Sequence, residues 1–588
     1  MSDTALGARA RRRRRILRRR LTPFNVVSAA IALFIAALAI YPLGTVLVRI
    51  FFTEGQLDLS GLRRTLDVPG LGTLIKNTLI VVVGSSAIAL VIGGALAWVN
   101  ERTDARMGLL SESLPLVPFL IPPIAGATAW VLLLSPGAGF VNYWLREVLG
   151  WFGIEQFDGP LNIYSFPGLL LVYTVYQVPY AFMLITAGLR NIDPALEEAS
   201  RVSGAGLLRT LRRVTLPAVM PSIAGAVLLM AWSGFGLVSI PLVIGTGANI
   251  HVLSEQIVRV LADFPPDEGV AIGLSAIMIA FVAAAWLAQV LVVRRGRFAT
   301  IAGKGQRATP IRLGAWRWPV RGLVLLYMGV TTVLPLFALV IVSLEGFWTP
   351  QIPWGDLSLD AYRDGVFNEP IARKALIDSL ELGLVVATVG VLAAAIVSLF
   401  VIRTTPRLGR VVDGSIKFPA TLSHIVLAVG FVLALGGEPF NLAGTILILM
   451  LAYLALYFPQ TAVAADGAVG QVGRELPEAS RVAGAGEART FGRIYLPLMA
   501  SGLAAGWALL FVRCVGDLTA SSILAGPANP VVGWKILQVY NDGLFSEMAA
   551  LCVLLVLISG TVVVTVLTFT RQRRRMPLIS RRGAAPPA

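Results

Sequence analysis

Long apolar runs dominate the chain, and their lengths carry the first information. Runs of about 20 apolar residues, the length a helix needs to cross a bilayer, occupy 25–48, 74–98, 114–135, 167–189, 217–244 and 269–293. A second series follows at 319–343, 380–402, 417–436, 443–465, 497–525 and 547–570. The pattern predicts an all-α integral membrane protein of about 12 transmembrane helices, six in each half of the chain. The run 114–135 carries Pro115, Pro118, Pro122 and Pro123 and is the least regular of them.

The polar segments between the runs set the orientation. With the N-terminus inside, the segments 1–24, 99–113, 190–216, 294–318, 403–416, 466–496 and 571–588 face the cytoplasm. Counted with Arg321 and Lys417 at span ends, they hold 38 of the 49 Lys and Arg residues. Lys/Arg bias sets membrane orientation, so both termini are expected in the cytoplasm. The chain then divides into an Arg-rich tail (1–24), a six-helix half (25–293), a basic linker (294–318), a second half (319–570) and a basic tail (571–588). Each half starts inside and has an even number of spans, so the two run parallel, related by an axis along the membrane normal. The long outer loop 136–166 carries Tyr143, Trp144, Trp151 and Phe152. It is expected to lie at the interface as a short helix, where aromatic side chains concentrate.

Composition agrees: 56% of residues are hydrophobic and 14% charged, against about 25% charged in a soluble domain. The net charge of +16 would suit nucleic acid, but its distribution is that of a positive-inside membrane protein, and no nucleic-acid partner is expected. The basic N-terminus followed by an apolar run has the form of a secretory signal. However, the run 26–48 is longer than the roughly 7–15 residues of a signal core, so it reads as a retained first span. Cys514 and Cys552 lie in apolar runs, and His251 and His424 are isolated. Neither type forms a metal-ligand spacing.

One polar stretch occurs twice. Glu198-Ala-Ser-Arg-Val-Ser-Gly-Ala-Gly206 returns in the second half of the chain as Glu478-Ala-Ser-Arg-Val-Ala-Gly-Ala-Gly486. Val214-Thr-Leu-Pro217 matches Ile494-Tyr-Leu-Pro497 at the same offset, as do Tyr173 and Tyr453, Pro179 and Pro459, and Gly236 and Gly516. Asp193-Pro194 suits a helix start, Asp as cap and Pro in the first turn. Gly204 suits the left-handed residue that ends one. In the second copy Pro477 stands in place of Glu197, so that helix is expected to begin nearer Glu475 or Leu476. A connector duplicated with its gene would explain one such helix–turn–helix. Near-identity of the polar residues in both copies fits better with two surfaces that a partner docks on.

The spacing Glu-Ala-Ser-x3-Gly-x9-Val/Ile-x-Leu-Pro resembles the EAA loop of binding-protein-dependent ABC importer permeases, with Ser where that family most often has Ala. The resemblance implies that Glu198, Ala199, Ser200, Gly204 and Pro217, with Glu478, Ala479, Ser480, Gly484 and Pro497, form docking surfaces for two ABC ATPase subunits. It also implies an external solute-binding protein and a place in the bacterial cytoplasmic (inner) membrane. The fused two-times-six layout is most similar to ferric-iron uptake permeases and their thiamine and aminoethylphosphonate relatives. Ferric iron is the expected cargo, with thiamine, aminoethylphosphonate or a polyamine as alternatives. A phosphate-cradling G-x4-G-K-[ST] loop is missing from the sequence, and Gly303-Lys304-Gly305 lacks both the hydroxyl and the upstream glycine. No cofactor is therefore expected in this chain, ATP being bound by the partner subunits.

Within the spans, charged residues are costly and default to functional candidates. Arg513 and Asp517, spaced i, i+4, either line the translocation path or neutralise each other as a structural pair. Tyr173, Tyr176, Gln177, Tyr453 and Tyr457 recur at helical spacing and either line the path or pack the bundle. Gly234, Gly236 and Gly516 would allow close packing or a hinge. An ion-coupled secondary transporter, which would need a buried coupling carboxylate such as Asp517, is the alternative from another class. A membrane enzyme lacks its nucleophile, base and metal constellation.

Overall fold

The computed structural model describes residues 23–295 and 310–575, apart from Glu54, 155–157, Leu422, Gln471 and Arg474. The Arg-rich N-terminal tail, most of the linker and the chain after Arg575 lie outside the described residues.

The first half of the chain contributes α1 (Pro23–Arg49), α2 (Leu71–Arg102), α3 (Pro123–Leu134), α4 (Phe166–Asn191), α5 (Pro194–Val202), α6 (Leu216–Gly236) and α7 (Glu268–Arg295). The second contributes α8 (Gly314–Leu344), α9 (Pro370–Arg403), α10 (His424–Gly436), α11 (Ile446–Gly470), α12 (Glu475–Val482), α13 (Leu496–Val515) and α14 (Phe545–Arg575). Among the described residues only a two-residue antiparallel ladder, Phe52–Thr53 with Gln56–Leu57, is extended pairing between strands. The interfacial helix expected in 136–166 forms as Phe140–Trp151, with Trp144 and Trp151 exposed.

Among the described residues ten helices are long and apolar enough to span a membrane, and the runs 114–135 and 417–436 depart from the expected continuous helix. The first is a 3-10 turn, Leu114–Leu120, followed by α3; the second is a 3-10 turn, Phe418–Thr421, followed by α10. The reason is proline: Pro118, Pro122 and Pro419 remove backbone donors and clash with the preceding turn. At 1.5 Å per residue the 12 residues of α3 reach about 18 Å, short of the roughly 30 Å hydrocarbon core. The runs 217–244 and 497–525 also break, at Gly236 and just before Gly516. Both halves therefore contain a short third helix and a truncated fifth one.

Polar contacts sort the loops onto two sides. Arg102 pairs with Glu197, Arg190 with Glu101 and Glu112, and Lys417 with Asp466, all between segments assigned inside by charge. Arg49 pairs with Glu268, Arg64 with Asp267, and Lys535 with Glu369, all between segments assigned outside.

The first span leaves its own half. α1 packs against α9, α10 and α11, with Phe24 on Phe491 at 5.7 Å and Tyr41 on Phe440 at 6.2 Å. Gly430 lets the Pro42 carbonyl approach α10, since an added Cβ would lie 2.8 Å from that oxygen. In return α8 packs against α3 as well as α14, and Val324 joins the buried cluster of the first half. The Arg321 guanidinium donates to the Ala105 and Asp104 carbonyls at 3.1 Å.

Candidate functional site: two matched exposed helices and a cavity between the halves

The repeated segments share their local geometry. In α5 the Asp193 carboxylate accepts from the Ala195 amide at 2.9 Å, and Pro194 takes the first turn. Gly204 and Gly484 both have positive φ, in the left-handed region that glycine alone enters without strain, and each ends its helix. The Ala205 amide donates back to the Ser200 carbonyl at 3.1 Å, and Ala485 to Ser480 at 3.0 Å. The serine hydroxyls have a structural task. Ser200 bonds Thr210 at 2.9 Å and Ser480 bonds Thr490 at 3.0 Å, tying each helix to the turn that follows.

Glu198, Ala199, Gly204 and Pro217 are exposed, as are Glu478, Ala479, Gly484 and Pro497; Ser200 and Ser480 are half-buried. Val202 and Val482, within the same two segments, are each 90% exposed. A valine that open to solvent, twice, at the end of a polar helix offers an apolar contact to something outside the chain. Sequence reasoning passed over it, although the repeat carried the signal in the identical Arg-Val pairs.

The two units are anchored differently. The buried Glu197 carboxylate pairs with Arg102 at 2.8 Å and accepts from the Thr215 hydroxyl at 2.8 Å. In the second copy Pro477 and Tyr495 occupy the places of Glu197 and Thr215, and Arg403 lies over the Tyr495 ring at 5.0 Å. The second helix begins at Glu475, as the shift of proline predicts.

The broken spans meet between the halves. An added Cβ on Gly516 would lie 2.6 Å from Pro122 at the start of α3, and one on Gly236 would lie 3.2 Å from His424 at the start of α10. Each truncated fifth helix thus abuts the short third helix of the other half. Broken helices leave backbone groups that lipid cannot satisfy, and side chains supply the partners. Tyr173 donates to the Leu237 carbonyl at 3.1 Å and Tyr176 to the Pro122 carbonyl at 3.2 Å. The Asp517 carboxylate accepts from the Ala520 and Ser521 amides at 2.9 and 3.2 Å and from the Tyr457 hydroxyl at 2.6 Å.

A narrow cavity of about 50 Å³ lies at this junction, lined by both halves. It has room for a few waters, since one needs roughly 10–15 Å³, so the two halves close on each other here. Tyr457, Arg513 and Asp517 line it; Tyr173, Tyr176 and Tyr453 do not, and are buried in packing. Gln177 is likewise occupied, bonded to Ser86 at 2.7 Å and Ser85 at 2.9 Å.

Arg513 and Asp517 do not pair. The helix that would have brought them together ends at Val515, and among the described residues no ion pair joins them. The Arg513 guanidinium lies over Phe119 at 5.2 Å and reaches the Tyr180 hydroxyl only at 3.4 Å. Sequence reasoning also missed His424, Trp232 and Tyr180. His424 sits 4.8 Å from Trp232 and 5.6 Å from Tyr457, ring to ring. Isolation along the chain hid it, because its neighbours come from α6 and α11. A larger groove of about 1270 Å³ between α1 and α7 is mostly apolar, bears ion pairs at its outer mouth, and holds none of these residues.

Residues 4–297 and 387–576 match the family described as the binding-protein-dependent transport system inner membrane component. The chain belongs to this family. It is a multi-pass inner-membrane permease of an ABC importer. Over 540 residues it is 22% identical to a ferric transport system permease protein of Actinobacillus pleuropneumoniae, covering 91% of this chain and 76% of the relative. It is 26% identical over 248 residues to a spermidine/putrescine transport system permease protein of Escherichia coli, covering 42% of this chain and 87% of the relative. It is also 26% identical over 184 residues to a molybdate/tungstate transport system permease protein of Pyrococcus abyssi, covering 31% and 64%. The relatives of this permease thus include some named for cations and one named for oxyanions. Membership in the family removes the ground for the ion-coupled alternative.

Proposed function

We propose that this permease forms the pathway for ferric iron delivered by an external binding protein, and that two separate ATPase subunits drive it by gripping α5 and α12. The observation that carries the reading is the pair of matched, exposed helices, one in each half, with Val202 and Val482 bare on both. Each helix is short, ended by a left-handed glycine and tied by serine to the following turn, so a displacement applied to it is passed to α6 or α13. Those helices end beside Gly236 and Gly516, against the short helices that close the cavity. Closure of the ATPases would bring α5 and α12 together and move both glycine junctions at once. ATP is bound and hydrolysed by the partners.

Iron as cargo rests on the ferric permease relative, whose alignment covers most of both chains. Thiamine, aminoethylphosphonate and polyamine remain the alternatives for the same machinery. Reversing charge at both Glu198 and Glu478 should abolish co-purification of the ATPase and ferric uptake; unchanged assembly and uptake would refute the docking assignment. Identifying the ligand of the cognate binding protein tests the cargo directly.

A further inference from the structure

Among the described residues the cavity is lined by one cation, Arg513, and one acid, Asp517, and the two do not pair. Arg513 is the one Lys or Arg among its described lining residues, its Nε has no hydrogen-bond partner among them, and its Nη2 donates a long bond, at 3.4 Å, to the Tyr180 hydroxyl. Asp517 is committed elsewhere. Three of the roughly four acceptor sites of that carboxylate are taken by Tyr457, Ala520 and Ser521. The amides come from the start of a helical turn at Ser521–Leu524, so the acid is consumed in holding the break after α13.

A second polar atom is left over in the same place: His424 Nε2 is buried without a partner among the described residues. An imidazole can donate a hydrogen bond there. The lining that remains is neutral, with the hydroxyls of Tyr180, Ser233, Ser239 and Thr519 and the amide of Gln460. At the offset of the repeat, Ser233 corresponds to Arg513 and Leu237 to Asp517. The charge therefore stands in one half only, at a point where both halves meet. A guanidinium kept at a constriction with a spare donor has the chemistry for a carboxylate or phosphate oxygen.

From these contacts we infer that the cargo crosses this cavity presenting an anionic oxygen group (carboxylate, phosphate or phosphonate) to Arg513. The inference rests on the cavity being the translocation path. It disfavours a polyamine and a naked ferric ion; an oxyanion solute, or iron carried by an oxyanion ligand, meets the requirement.

The test is equilibrium binding to the full chain in lipid nanodiscs, with methylphosphonate alone, ferric ion alone, and ferric ion with citrate as probes. Wild type should bind methylphosphonate or ferric citrate saturably. Arg513→Gln should weaken that binding about tenfold or more, the scale of one charge-assisted hydrogen bond, and Arg513→Lys should recover part of it. Should Arg513→Gln misfold, Ser233→Arg serves as the second probe, since a cation added opposite should tighten anion binding severalfold. Binding of methylphosphonate alone indicates an oxyanion cargo, and binding of ferric citrate alone indicates iron carried by its ligand. Absence of saturable anion binding, wild-type affinity in Arg513→Gln, no gain in Ser233→Arg, or binding of ferric ion alone would each overturn the inference. ATPase co-purification is read separately, so a failure here leaves the docking assignment standing.

Discussion

At the residue scale, side chains divide into those that hold the backbone and those left facing a cavity or solvent. Tyr173 and Tyr176 bind carbonyls at helix breaks, whereas Val202 and Val482 stand almost wholly in solvent. If the ATPases dock on α5 and α12 as proposed, replacing both valines with Asp should leave the permease folded yet lower ATPase co-purification at least tenfold, because a charge would replace an apolar contact. A pull-down from membranes reads this, and unchanged recovery would remove the valines from the docking surface. Glu197 faces the opposite risk. Glu197→Ala leaves Arg102 buried without its carboxylate and should destabilise the first half by about 3–5 kcal/mol, seen as a lowered melting temperature. Outside the membrane, Glu345 follows α8 and is 1% exposed, and its carboxylate accepts one long hydrogen bond, from the Thr349 amide. Burial pushes its carboxyl up to about 7. The folded protein therefore holds this proton up to higher pH than the unfolded chain does. Its contribution favours the fold below the unfolded value and is lost as pH rises through about 7. Glu345→Gln should flatten the pH dependence of melting between about pH 4.5 and 7; an unchanged slope would show that another group sets it.

Helices and their interruptions decide what the halves can do to each other. Four of the apolar runs break, two at prolines and two at glycines, and the breaks meet in crossed pairs. Gly516→Ala places a Cβ 2.6 Å from Pro122, closer than real contacts allow. It should push α3 away, reducing transport more than ATPase binding. Gly236→Ala, at 3.2 Å from His424, should have the same effect in milder form. Uptake measured beside co-purification separates the two, and full uptake in Gly516→Ala would show that the junction does not gate.

Over the whole molecule, the exchange of first spans makes one body of two repeats. α1 lies on α9, α10 and α11, and α8 reaches back to α3. Cutting the linker between residues 300 and 308 should therefore leave two fragments that co-elute in mild detergent. Separation of the fragments would mean that the interlocking packing is too weak to hold them.

What the sequence determined by itself is what depends on solvent and on local backbone chemistry. Apolar length marked every span, Lys/Arg bias gave the sidedness that the ion pairs follow, and Asp193, Pro194 and Gly204 marked the ends of α5. The near-exact repeat singled out two exposed helices, because both copies face the same environment. Only the tertiary structure decided what lines the cavity between the halves. A hydropathy run records how apolar a segment is, and it cannot register that a helix stops at Gly236 or Val515, beside another segment's histidine or proline. Arg513 and Asp517 stand four apart in the chain and would pair on an unbroken helix. The break turns the acid toward Tyr457 and the backbone amides and leaves the arginine facing the cavity, since partners from other helices compete for those charges.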